Sequence, residues 1–177
     1  GGVEHLRNKY KSSILFLLLG ALLLTGCSGN EANLQDGDKH ITEEMDEVIS
    51  DYIIQKYSSS YLDTEKQFEV HKVYGTNETE GVISVYMWSY YGGFNRSTGI
   101  ENQAGHSLPA VIQLNKKEGN YSVIEYTEPQ DGSLYQSSLE KLFPEKYLKL
   151  AQQDSGNIED LQKEMDKKVI QWLEKQE

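Results

Sequence analysis

Apolar and polar positions change their spacing several times along this chain, and each change marks an element. Met45, Val48, Ile49, Tyr52, Ile53 and Tyr57 recur at intervals of three and four, the stripe of an amphipathic helix. Thr42 stands where a cap belongs, and Glu43 and Glu44 fall in the first turn, where the helix dipole favours anions. Ser58-Ser59-Ser60 ends the pattern. From residue 68 the spacing shortens to two. Phe68–Tyr74, Leu108–Leu114 and Tyr121–Tyr126 read as strands. Val82–Tyr90 is apolar on both sides: Ile83, Val85 and Met87 point one way, Tyr86, Trp88 and Tyr90 the other. Polar turns at 76–81 and 116–120 keep the connections short, which favours an antiparallel meander. After residue 130 the spacing widens again. Leu134–Leu142 predicts a short helix, and Pro144 opens another through Tyr147, Leu148 and Ala151. Beyond Gly156 a last helix, capped by Asn157, buries Ile158, Leu161, Met165, Val169, Trp172 and Leu173.

Helix, four strands, then helices is the order of an α+β domain. It predicts an N-terminal helix, a four-stranded antiparallel sheet, and C-terminal helices packed on one face. The order of the first helix and the sheet resembles the cystatin-like and NTF2-like folds. That likeness is one of topology and implies no function.

The first thirty residues follow a different logic. Arg7, Lys9 and Lys11 precede the apolar run Ile14–Leu24, and small residues follow it. A basic stretch, a short apolar core and small residues at a cut site make an export signal, and the run is too short to span a bilayer. Leu24-Thr25-Gly26-Cys27 resembles the lipobox of bacterial lipoproteins. The resemblance implies transfer of diacylglycerol to the Cys27 thiol, bearing acyl chains such as palmitate, and cleavage between Gly26 and Cys27. Chemically, the position requires a thiol, because the thiolate is the nucleophile that takes the lipid. Cys27 is the single cysteine of the chain, so no intrachain disulfide can form. The expected organisation is a lipoprotein signal peptide at 1–26, a flexible polar tether at 27–40, and one extracytoplasmic α+β domain at 41–177. The protein would sit at the outer face of the cell membrane. The tether brings no apolar face, so residues 41–177 are expected to fold alone.

Charge narrows the partners. Of the 177 residues, 17 are basic and 28 acidic. Removing Glu4, Arg7, Lys9 and Lys11 with the signal leaves 14 basic and 27 acidic residues, a net charge of −13. Such a domain repels nucleic acid and anionic lipid surfaces and is soluble by the same property. Arg96 is the one arginine left after cleavage.

Motifs of catalysis are sparse. The chain has no Gly-rich phosphate loop, Gly-x-Ser-x-Gly elbow or His-Glu-x-x-His pair. His40, His71 and His106 have no neighbours at metal-ligand spacing, although His71 and His106 could meet across the sheet. Asp36 and Asp38 resemble the start of a calcium loop, but the later carboxylates are missing. No catalytic residue, metal or other cofactor is therefore expected. The most informative segment is 90–107, which is long for a connection. Its candidate binding residues are Tyr90, Tyr91, Phe94, Asn95, Arg96 and His106. Either its aromatics form a recognition surface, or they fold back onto the edge of the sheet.

A second resemblance covers Glu125–Tyr135, continuing to Leu139, Phe143 and Pro144. This stretch is similar to extracytoplasmic domains associated with membrane metallopeptidases of the beta-lactam-sensor type, and with free lipoproteins. The zinc motif of those peptidases is missing here, so the likeness implies no catalysis. Physically, Asp131-Gly132-Ser133 is a turn into a helix and Phe143-Pro144 a break between helices. Three functional classes stay open. They are a binding or sensing lipoprotein contacting an envelope protein or small ligand, a small cell-envelope hydrolase or its accessory subunit, and a structural or immunity-type protein that covers a partner.

Overall fold

The computed structural model describes residues 33–175; the export signal, the lipobox and Cys27 lie outside the described residues. In chain order the elements are β1 (Leu34–Asp36), α1 (Glu43–Tyr57), β2 (Lys66–Thr79), β3 (Val82–Phe94), β4 (Ala104–Lys117), β5 (Asn120–Thr127), α2 (Tyr135–Leu142), α3 (Glu145–Asp154) and α4 (Glu159–Glu174). The class is α+β. All strands pair antiparallel, and their order across the sheet is their order in the chain.

Two-residue turns set the register of the meander. Thr79 pairs with Val82 and Lys117 with Asn120. Between them, Glu80-Gly81 and Glu118-Gly119 have φ of 53°, 79°, 52° and 90°. Positive φ at both central residues matches the twist of the flanking strands, and glycine bears the second position without strain. Tight turns let the pairing run further than apolar alternation alone indicates, so β2, β3 and β4 each reach 13 or 14 residues.

The sheet is covered on both faces. On one, Met45, Ile49 and Ile53 of α1 pack on Val85, Met87, Tyr91, Ala110, Ile112 and Leu114. On the other, Leu139, Phe143, Tyr147, Ala151, Leu161, Met165 and Val169 cover Val70, Tyr74, Trp88, Tyr90, Phe94 and Val111. The C-terminal helices lie on one face, as expected, and the opposite face belongs to α1. Both are covered because β3 carries large apolar side chains on both sides and each must leave water. The cap on α1 is as expected, with Thr42 Oγ1 accepting from the Met45 amide at 3.2 Å. The cap expected on α4 is not made: Ile158 precedes that helix, without a side-chain bond.

The sheet has five strands, not four. The extra one, β1, comes from the stretch read as a tether, pairing Leu34, Gln35 and Asp36 with Asn77, Thr76 and Gly75. Three mainly polar residues show no alternation that could announce a strand. What holds them is tertiary. Asp36 accepts from the Tyr147 hydroxyl of α3 at 3.1 Å and pairs with Lys146. Gly75 leaves the space that Tyr147 fills, since a Cβ there would collide with the phenol. A chain starting at His40 loses the β1 pairing and uncovers Tyr147. Its Tm should fall about 3 °C or more below that of a chain starting at Ser28, as a loss of about 1 kcal/mol or more requires at this size. Equal Tm values in a calorimetric scan would show that β1 adds nothing.

Candidate functional site

Half of the segment singled out in the sequence is strand. β3 runs to Phe94 and β4 resumes at Ala104, so the connection shrinks to 95–103. Tyr90, Tyr91 and Phe94 are 6%, 2% and 0% exposed. The Tyr90 hydroxyl donates to Gln162 Oε1 at 3.2 Å and accepts from Asn102 Nδ2 at 3.1 Å. Phe94 lies in the α4-side core, with Phe68 as a ring neighbour. Asn95 Oδ1 accepts from the Glu65 amide. The Arg96 guanidinium lies 4.4 Å from the Trp172 ring centroid and pairs through Nε with Glu65 at 3.3 Å. Of the two alternatives left open by the sequence, the aromatics fold back onto the sheet.

His106 belongs to another cluster. Its Nδ1 lies 2.7 Å from the Tyr61 hydroxyl, its ring stacks with Tyr61 and Tyr91, and Tyr57 meets it edge-on at 4.2 Å. Burial lowers its pKa, favouring the neutral ring. Tyr91 and His106 face α1, while Tyr90 and Phe94 face the other helices. The six residues therefore do not converge on one surface.

A different constellation was not foreseen. Glu69 is fully buried in β2, beneath α1. Its Oε1 accepts from Ser89 Oγ of β3 at 2.7 Å, and its Oε2 from Ser50 Oγ of α1 at 2.7 Å. His71, two residues on and so on the same face, places Nδ1 3.0 Å from Glu69 Oε2. On its other side Nε2 lies 3.2 Å from Asp46 Oδ1 of α1, within ion-pairing range but not aligned as a hydrogen bond. Lys168 of α4 reaches around the strand edge to donate to the Glu69 carbonyl at 3.1 Å. One signal was available in the sequence: an acid and a histidine occupy alternate positions of a strand whose partner helix carries Asp46 and Ser50 one turn apart.

The electrostatics follow from this packing. Burial opposes a charge on His71, but Glu69 and Asp46 outweigh it and push the imidazole pKa up to about 10. Burial likewise opposes the Glu69 charge, and His71 with the two hydroxyls overrides it, holding the carboxyl below its ordinary value. The His71 ring beside Asp46 lowers that carboxyl in the same way. At neutral pH the ring is a cation between two carboxylates. It then has no lone pair to take a proton or bind a metal ion, and both serine hydroxyls are turned to Glu69. Among the described residues no three His, Cys, Asp or Glu side chains are placed to hold a metal.

Above this triad lies a groove of about 470 Å³ between the starts of α1 and α4, with His71, Lys72 and Val73 of β2 on its floor. Asp38, Glu43, Asp46, Asp160 and Glu164 line it. His71 and His106, on the strands flanking β3, engage separate partners. No family model, curated protein or solved structure matches the chain.

Two predictions follow from these contacts. Because the triad raises the folded-state pKa of His71, its stabilisation is whole below pH 6.5 and is lost as pH rises through about 10. Glu69 and Asp46, held low, contribute above their ordinary 4.5 and 3.8 and lose that contribution as pH falls further. Urea midpoints should therefore be highest between about pH 5 and 6.5, and His71→Gln should cost about 3 kcal/mol at pH 6 by leaving Glu69 unpaired. A flat profile, or a harmless His71→Gln, would exclude a buried charged triad. In the second, Phe94→Ala should lose about 3–5 kcal/mol as a core truncation, whereas Arg96→Ala should lose only about 1 kcal/mol or less. Comparable small losses by chemical denaturation would return Phe94 to the surface.

Proposed function

We propose that this chain is a lipid-anchored lipoprotein whose domain works at the outer face of the cell membrane as a binding or sensing module without catalysis of its own. The observation that carries the reading is Leu24-Thr25-Gly26-Cys27, placed after a basic stretch and a short apolar run, with the chain's single cysteine at the acceptor position. The similarity of the 125–144 segment to extracytoplasmic domains agrees with that side of the membrane.

Physical constraints give the reading content. No helix of the described residues is long and apolar enough to cross a membrane. In this reading two acyl chains on Cys27 supply the attachment, since a single chain binds only reversibly. A net charge of −13 on the mature chain keeps the domain off anionic headgroups while the lipid holds it near them.

Cys27→Ala is expected to abolish lipidation and leave the chain uncut or released from the membrane. Intact mass spectrometry of the membrane fraction should find wild type beginning at Cys27 and carrying diacylglycerol. Wild type recovered there with an unmodified Cys27 and an uncut N-terminus would overturn the anchor.

A further inference from the structure

Among the described residues, one strand edge left uncovered borders the acidic groove. β3 pairs with β2 from Lys66 to Thr79, but β1 covers only Gly75–Asn77 on the other side. The Glu69 carbonyl is turned to that outer side, because Lys168 reaches it there. Antiparallel pairing alternates the direction of backbone groups every second residue, so the amides and carbonyls of His71 and Val73 face the same way, and no strand of the described residues covers them. Gly37 turns the chain away as soon as its amide has bonded the Tyr74 carbonyl at 2.8 Å. The track that β1 opens along β2 is thus left vacant just where the groove runs.

A second observation marks the same place. The His71 side chain is 2% exposed and lines the groove, yet its Nε2 meets Asp46 only as an ion pair at 3.2 Å and has no aligned hydrogen-bond acceptor among the described residues. A buried donor left unmatched is costly, and a carbonyl entering the groove would match it. The walls define what can enter. Side chains of an added strand point alternately to the two faces of the sheet. On one face they would meet Glu43 and Asp46 of α1, on the other Asp160 and Glu164 of α4. Acids stand on both sides.

We propose that the open edge of β2 at His71–Val73 takes an extended, basic segment of another polypeptide as an added strand in line with β1. Its main chain pairs with β2, and lysines or arginines at consecutive positions meet the acids of α1 and α4. Strand addition draws affinity from backbone pairing and selectivity from alternate side chains; here the selectivity is for adjacent positive charges. This gives a partner class to the binding module proposed above. It is independent of the lipid, so an unmodified Cys27 would leave it standing.

The test uses the full chain in a mild detergent and a labelled octapeptide of lysine, valine and threonine with lysines at adjacent positions. Two further peptides carry backbone N-methyl groups on alternate residues, one on each edge of the strand, and a fourth has glutamate for lysine. Fluorescence anisotropy should show binding of the parent peptide and none of the glutamate peptide. Methylation of the edge that faces β2 should weaken binding about tenfold or more, the worth of two backbone bonds, while methylation of the other edge changes little. Glu164→Lys and Asp160→Lys lie on exposed helix surface; with unchanged Tm they should also weaken binding. In hydrogen exchange the His71 and Val73 amides should slow when peptide is added. Equal affinity for both methylated peptides would reduce the site to unspecific attraction of cations and overturn strand addition. So would displacement of the peptide by spermine or zinc with no protection of those amides, or absence of binding altogether.

Discussion

A carboxylate shut away from water must have its charge and lone pairs answered from within, and Glu69 sets that requirement at the centre of this domain. An unmatched ion at such depth costs several kcal/mol. Its partners come from three elements: Ser50 from α1, Ser89 from β3, and His71 from β2 itself. His71 then adds Asp46, one turn before Ser50 on α1. Apolar packing is tolerant of a helix sliding by part of a turn. Hydrogen bonds to a buried charge are not. Met45, Ile49 and Ile53 bring α1 onto the sheet, and the Glu69 network fixes where along the sheet it comes to rest.

The two faces of the sheet are consequently held in different ways. The face under α1 combines a small apolar cluster with the charged triad and the aromatic group around His106. The face under α2, α3 and α4 is packed with aromatics, and its polar bonds lie at the margins, as where Tyr74 donates to Asp154 and Tyr147 to Asp36. β3 serves both layers, presenting Val85, Met87 and Tyr91 to one and Trp88, Tyr90 and Phe94 to the other. The acidic groove opens where neither layer closes over the sheet, beside the stretch of β2 that β1 leaves bare.

Periodic features were legible in the sequence. The stripe of α1 and its Thr42 cap, both sides of β3, the break at Phe143-Pro144 and the stripe of α4 are local patterns, and local patterns survive folding when packing agrees with them. What was not legible depended on partners far along the chain. β1 is a strand only because Tyr147 and Lys146 latch Asp36 from more than a hundred residues away. The sequence leaves the aromatics of 90–94 open between a surface and a fold back onto the sheet, because their segment is long and rich in glycine. Those glycines instead admit close neighbours: a Cβ on Gly92 would press on the Phe94 ring, and one on Gly93 on Thr64. Glu69 alone is ordinary, and His71 suggested only a meeting with His106 that the structure does not make. Only the register of β2 against α1 turns Glu69 and His71 into a unit.

The strictly sequential order of the strands bears on how the protein comes to be folded. Each of β2, β3, β4 and β5 pairs with its immediate neighbour in the chain, through two-residue turns at 80–81 and 118–119 and a nine-residue link at 95–103. Contacts between near neighbours close small loops, which are entropically inexpensive and fast to form. A chain synthesised from its N-terminus presents these hairpins one after another, and the meander is complete at Thr127 before any of α2, α3 or α4 has appeared. Until they do, Trp88, Tyr90 and Phe94 stand uncovered on one side of a finished sheet. The vulnerable interval in the life of this domain is therefore the making of α2, α3 and α4, when an aromatic surface stands finished on the sheet with its own helices still to come.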